Sequence, residues 1–136
     1  MGTAVKGKDK LVHIDDGAGT MTEVPYQGDA RYNRGLTNQV SKTKNGKHAY
    51  QTDEGASISF SYEKERPALA VHTRLRTLSE TGEVTACEYK DKYSGGESIS
   101  GNVTVTLGEE ESNTEGVLVQ PVTLNFVDEP VPGNVA

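Results

Sequence analysis

The sequence predicts a mainly β protein: a β-sandwich or β-barrel of two packed sheets with one short α-helix at its flank. Three observations carry this. Residues 57–63 (SISFSYE) alternate, with Ile58, Phe60 and Tyr62 on one side and Ser57, Ser59, Ser61 and Glu63 on the other. That is the period of a half-buried strand. Residues 98–107 alternate likewise, Val103, Val105 and Leu107 against Asn102, Thr104 and Thr106. Only one stretch has a helical period: Ala68, Val71, Leu75 and Leu78 recur at i, i+3, i+7 and i+10. A helix that short cannot cover a sheet, so sheet must pack on sheet.

Taken in order, residues 1–9 read as an unpatterned arm. Residues 10–15 (KLVHID) predict a strand, 16–19 (DGAG) a turn and 20–26 a second strand, together a hairpin. Pro25 places that strand at an edge or near its end. Residues 27–35 suggest a third short strand. Residues 36–55 (LTNQVSKTKNGKHAYQTDEG) form a long polar segment. Asn45-Gly46 is a dipeptide suited to two-residue hairpin turns, so this segment reads as a protruding hairpin. Pro67 suits the first helical position, and Gly82 marks the helix exit. Residues 83–93 predict a strand, 94–96 (SGG) a turn, and 109–116 (EEESNTEG) an acidic turn. Residues 117–127 (VLVQPVTLNFV) are the most apolar strand, with Pro121 at a bulge or edge. Residues 128–136 form an extended tail.

The 136 residues suit a single domain, 1–136, with arm 1–9, loop 36–55 and tail 128–136 as its appendages. Apolar residues make up 33 %, or about 44 % once the 15 glycines are counted, so the core is thin. The net charge of −6 disfavours a protein that grips nucleic acid, which needs Lys and Arg to displace counterions. Lysines at 42, 44 and 47 still form a local basic patch. One cysteine, Cys87, allows no internal disulfide and reads as a strand side chain. No run reaches the length of a membrane span, and the N-terminus lacks an apolar signal core, so a reducing cytoplasm and no membrane partner are expected. Gly2 superficially resembles an acylation site, but Lys6 stands where Ser or Thr is wanted.

No chemistry-bearing constellation stands out. Asp15 and Asp16 lack the further acids of a calcium loop and read as a turn. His13 and His72 have no second ligand at metal spacing. No GxxxxGK[ST] loop occurs, and the many serines alternate along strands as ordinary surface. The expectation is a non-enzyme with no cofactor and no metal.

The order of features resembles the major tail (tail tube) proteins of long-tailed bacteriophages and gene transfer agents. A polar hairpin leads to a long loop and a G-A-S-I-S strand. A short helix, a Gly-rich turn, a V-T-V-T strand, an acidic turn and a closing strand with T-L-N-F follow. The resemblance spans about residues 10–129 and rests most on 42–62 and 101–126. It implies the tail tube fold and stacked, hexameric rings around a bore that passes double-stranded DNA. It also implies a place in the virion tail after assembly in the host bacterial cytoplasm. Implied partners are further copies of the chain, the tail tape measure, terminator and distal tail proteins, and DNA that slides through without specific binding. On that reading Ser57, Ser59, Ser61, Glu63, Asn102, Thr104 and Thr106 face the bore. Lys42, Lys44, Asn45, Gly46, Lys47, His48 and Tyr50 meet the next ring, against acidic turns at 109–111 or 128–129 of a neighbour. Two alternatives stay open: a carbohydrate- or cell-surface-binding module using Tyr26, Tyr32, Tyr50, Tyr89 and Tyr93, and a type VI secretion-like tube.

Overall fold

The computed structural model describes residues 4–110 and 116–135. A 3-10 turn at Gly7–Asp9 is followed by β1 (Lys10–Asp15), β2 (Met21–Glu23), β3 (Arg31–Asn33), β4 (Leu36–Thr43) and β5 (Gly46–Asp53). Then come β6 (Ser57–Glu63), α1 (Ala70–Thr81), β7 (Thr85–Asp91), β8 (Glu97–Leu107), β9 (Val119–Phe126) and β10 (Val131–Asn134). The predicted mainly β architecture with one flanking helix is the observed one. Its two packed layers are parts of a single hydrogen-bonded sheet in the order β2-β1-β7-β8-β9-β6-β3, with β10 paired to β8; β4 and β5 form a separate two-stranded sheet.

The sheet curls so that alternate residues converge on one core. Val12, Ile14, Ile58, Cys87, Val103, Val122 and Leu124 are fully or almost fully buried, with Phe60, Tyr62 and Val105 beside them. Leu75 and Leu78 enter the same cluster from α1. Complete burial is worth about 1.5–3 kcal/mol for each such aliphatic side chain. His72 joins the helix's inner face, which the predicted stripe omitted. Its ring stacks on Tyr62 at 3.9 Å between centroids, and Nε2 donates to the Pro25 carbonyl at 2.7 Å. It is therefore a satisfied core histidine. Burial pushes the Cys87 thiol up to about 12, so this cysteine is an inert core group.

A side chain closes the curl. Gln27 Oε1 accepts the Val12 N–H at 2.9 Å, and Nε2 donates to the Val12 and Val24 carbonyls at 3.1 and 3.0 Å. The Gln27 amide thus takes the place of a neighbouring peptide group beside β1. The Gln27 backbone meanwhile bridges to Tyr62 of β6, flanked by Gly28 N–H to Ser61 O and Glu63 N–H to Tyr26 O. One residue thus links β1 to β6 across the curl, with β2 and β3 remaining the terminal strands of the path.

Three expectations need correction, and the tail gains a partner. Pro67 is not the first helical residue: Leu69 is extended, the helix begins at Ala70, and Pro67 lies upstream after a cis bond, as does Ala68. Pro121 is at neither a bulge nor an edge, for β9 is central and the register Ser59↔Thr123, Ser61↔Pro121, Glu63↔Val119 runs through it unbroken. The strand tolerates it because the missing N–H points to where β8 ends at Gly108. There Gln120 Nε2 donates to the Gly108 carbonyl at 2.8 Å in its stead. The extended C-terminal tail adds a strand: Val131–Asn134 pair with Ser100 to Glu97 of β8. The third strand spans only Arg31–Asn33, three of the nine residues suggested. The acidic turn's Glu111 and the extremities of both tails lie outside the described residues.

Asp15 and Asp16 cap their own turn. Asp15 Oδ1 accepts from Gly17 and Gly19 N–H, and Asp16 Oδ1 from Ala18 and Thr20 N–H. The exit glycine behaves as read: Gly82 takes φ +73 and its N–H bonds the Leu78 carbonyl.

Gln27→Ala removes three hydrogen bonds and strands the Val12 amide. Urea unfolding should show a loss of about 1–3 kcal/mol, with β1 amides the first to lose exchange protection.

Candidate functional site

Two surfaces carry no other element packed on them among the described residues. The first is the β4–β5 hairpin. Its eight pairs run from Leu36↔Asp53 to Thr43↔Gly46, so Lys44 and Asn45 are the turn's central residues. That shifts the predicted Asn45-Gly46 turn back by one: Gly46 opens β5 instead, at φ +143. Every residue of β5 is exposed, including Lys47, His48 and Tyr50, and so is Lys42 at the end of β4. Among the described residues the hairpin makes no extended packing against any other element. Lys42 and Lys47 are directly opposed across the ladder, on the face that also carries the Val40↔Ala49 pair and Leu36. Like charges facing each other at this distance are unfavourable. The other face presents Thr37↔Thr52, Gln39↔Tyr50 and Ser41↔His48.

The root of the hairpin is built with care. Gly35 at φ +79 and Gly55 at φ +95 touch so closely that a Cβ on Gly35 would sit 2.0 Å from the Gly55 carbonyl oxygen. Asn33 Oδ1 caps the Gly35 N–H, and Asp53 Oδ1 caps the Gly55 N–H. Arg34 then ties the root to the body, with Nη1 on Asp53 Oδ2 and Nη2 on Glu129 Oε1, both at 3.1 Å. The Asp53 carboxyl is held below the ordinary carboxylate range, first by the Gly55 N–H and then by Arg34.

The second surface is the face of the sheet turned away from α1. Cross-strand rows place Ser57, Asn125 and Thr104 side by side, and Ser59, Thr123 and Thr106 beside them. Ser61, Glu63 and Asn102 extend the same face, all exposed or half-buried. All seven residues proposed for a bore thus share one surface, opposite the buried Ile58, Phe60, Tyr62, Val103 and Val105. Thr123 and Asn125, at its centre, were missed by sequence reasoning. The alternation V-T-L-N-F carried the signal, but the strand's apolar content masked it. The patch is hydroxyl- and amide-rich, with Glu63 and Arg31 at its margin.

Neither surface holds a catalytic constellation. Among the described residues no group of three or more His, Cys, Asp or Glu could hold a metal ion. His13 sits half-buried on β1, where desolvation lowers its pKa, and its Nδ1 faces the Leu11 carbonyl. No helix among the described residues is long and apolar enough to cross a membrane.

This arrangement, a curled sheet with a flanking helix and one long unpacked hairpin, is the tail tube fold. The SPP1 tail tube protein, solved by solid-state NMR and electron cryo-microscopy, superposes with a TM-score of 0.75 at 15 % identity, covering 98 % of this chain and 81 % of that one. The tail of an empty gene transfer agent particle, refined helically with C6 symmetry, gives 0.72 at 18 % identity, covering 98 % and 100 %. The tube complex of an extracellular contractile injection system gives 0.60 at 11 % identity, covering 97 % and 93 %. No protein-family model and no curated sequence matches the chain.

Two outcomes test the root. Gly35→Ala forces a side chain onto the Gly55 carbonyl at a strained φ, costing on the order of 1–3 kcal/mol. Hydrogen exchange should quicken across β4 and β5 while β8 stays protected. Acidification should loosen the same clamp. A depressed carboxylate contributes stability above its unfolded value, and that contribution is lost as pH falls through the lower folded value. Hairpin amides should therefore exchange faster below pH about 4, and Asp53→Asn should flatten that dependence.

Proposed function

We propose that this chain is a structural tail tube protein. Copies close into hexameric rings, and the rings stack into a hollow tube through which double-stranded DNA leaves a phage or gene-transfer-agent particle. The observation that carries this is the near-complete superposition on two assembled tail tubes by a protomer with two unpartnered surfaces. An isolated two-stranded hairpin is marginal in water, so β4–β5 is stabilised by another subunit. The short edge strands β2 and β3 have unpaired backbone on one side, which joining between copies satisfies.

In this reading Ser57, Ser59, Ser61, Glu63, Asn102, Thr104 and Thr106, with Thr123 and Asn125 between them, line the bore. Hydroxyls, amides and one carboxylate offer phosphate no array of cations, so DNA slides past without counterion exchange. The hairpin residues Lys42, Lys44, Asn45, Gly46, Lys47, His48 and Tyr50 contact the next ring. The role is structural, without catalysis. Tape measure, terminator and distal tail proteins complete the tail, and assembly takes place in the host bacterial cytoplasm. The likeness to a contractile injection tube supports a second reading in which the same tube serves such a machine. A carbohydrate-binding module finds less support, since Tyr32 packs edge-on to Phe126 and Tyr89 lies under Lys10, forming no shared platform.

Electron microscopy of the purified protein tests the proposal: rings or hollow tubes are expected, and particles of about 15 kDa at every concentration would overturn it. Deleting residues 42–47 should leave a folded, soluble protein that no longer polymerises.

A further inference from the structure

The protomer is electrically polar along its strands. Its net charge of −6 is the sum of +3 from Lys42, Lys44 and Lys47 at the hairpin tip and −9 from everything else. The tip holds no acid, and none of its three lysines has an ion-pair partner among the described residues. The hairpin leaves the body where β6 begins, beside the end of β9, as the pairing Ser57↔Asn125 fixes. The opposite end of those strands, at Glu63↔Val119, gathers Glu63, Glu65 and Glu109, all exposed. Glu63 and Glu109 likewise lack an ion-pair partner among the described residues. At that end a cavity of about 430 Å³ opens beside α1, lined by Tyr62, Lys64, Glu65, Arg76 and Glu110 among others. Its two cations are already engaged, Lys64 with Glu110 at 2.8 Å and Arg76 with Glu80 at 3.4 Å. Exposed Val117 lies next to it in sequence order before β9.

We propose that the lysine tip of one copy seats on this far end of a second copy, against the exposed carboxylates Glu63, Glu65 and Glu109. This rests on the tube reading and chooses between its two acidic candidates. Asp128 and Glu129 stand at the hairpin's own end, and Glu129 is committed to Arg34 of the same chain. A subunit whose basic tip points one way cannot reach, on an equally oriented neighbour ahead of it, an acid lying at the rear of its own root. The far-end carboxylates meet that geometry. The contact is heterologous, and between copies displaced along one axis it repeats as an open stack. Its charge makes it salt-sensitive and orients the approaching copy before contact.

Charge exchange tests it. The tip-reversed chain K42E/K44E/K47E and the end-reversed chain E63K/E65K/E109K should each need at least about tenfold more protein to polymerise, by sedimentation and electron microscopy. Circular dichroism melts should match the wild type. Combining both sets in one chain should restore assembly. If either reversal unfolds the protein, the neutral sets K42Q/K44Q/K47Q and E63Q/E65Q/E109Q serve, with salt dependence of wild-type assembly lost in both. Should the tip matter while E63K/E65K/E109K assembles normally and D128K/E129K does not, the seat is wrong and the tube reading survives. Normal assembly of the tip-reversed chain overturns the seat. If that chain also loses a wild-type affinity for duplex DNA, its lysines belong to phosphate. Absence of any wild-type polymer sinks the tube reading itself.

Discussion

The fold depends on a borrowed peptide group. β1 and β6 each lie one strand in from opposite ends of the sheet's hydrogen-bonding path, and no ladder pairs them. Gln27 joins them by offering its side-chain amide to Val12 and its backbone to Tyr62. With that seam closed, Val12, Ile14, Ile58 and Tyr62 share one dry interior, and α1 need cover only the remaining opening with Leu75, Leu78 and His72. A thin composition can therefore still seal a core. Gln120 repeats the device at Pro121, where its amide replaces the donor that proline lacks. In both places a glutamine satisfies backbone groups that burial would otherwise leave costly.

Sealing the interior this way fixes what the exterior must be. A strand has two faces, and β6, β8 and β9 bury one of each against the same core. The outward row of serine, threonine and asparagine is small and uncharged, and it runs unbroken across three strands. The hairpin is the opposite case, a segment with two exposed faces and no core. It keeps a defined direction only through its root, where two glycines permit a contact no side chain could share and Arg34 fastens the result to Glu129.

Much of this was legible. Period-2 alternation gave β6 and β8 with their correct faces, and the polar run around Asn45 gave a protruding hairpin. What was hidden depended on contacts distant in sequence. Gln27 carries no local mark of its role, since beyond Val24 its partners lie 15 and 35 residues away. The sequence showed only that His72 had no second ligand at metal spacing; its place in the core depends on Tyr62 and Pro25, brought near by the fold. Pro121 suggested an edge because the local rule sees a missing donor and cannot see Gln120 supplying one. Residues 131–134 hold Pro132 and Gly133 and have no strand pattern, yet pair with β8 because its first half would otherwise present a bare edge.

The separation of charge follows from the same topology. A sheet of antiparallel strands has two ends, and chain order decides what collects at each. The hairpin is inserted just before β6, so its lysines leave from one end. The β6–α1 and β8–β9 connections, with Glu63, Glu65, Glu109 and Glu110, turn at the other. Within one protomer these charges cannot meet, and the in-register lysines 42 and 47 repel each other. Between protomers aligned head to tail they can. An end-to-end pairing of two tips would concentrate the repulsion, so electrostatics favours the head-to-tail arrangement over that pairing. On the proposed contact, the feature that makes the hairpin a weak element of the monomer is thus the one that gives a stack of copies its direction.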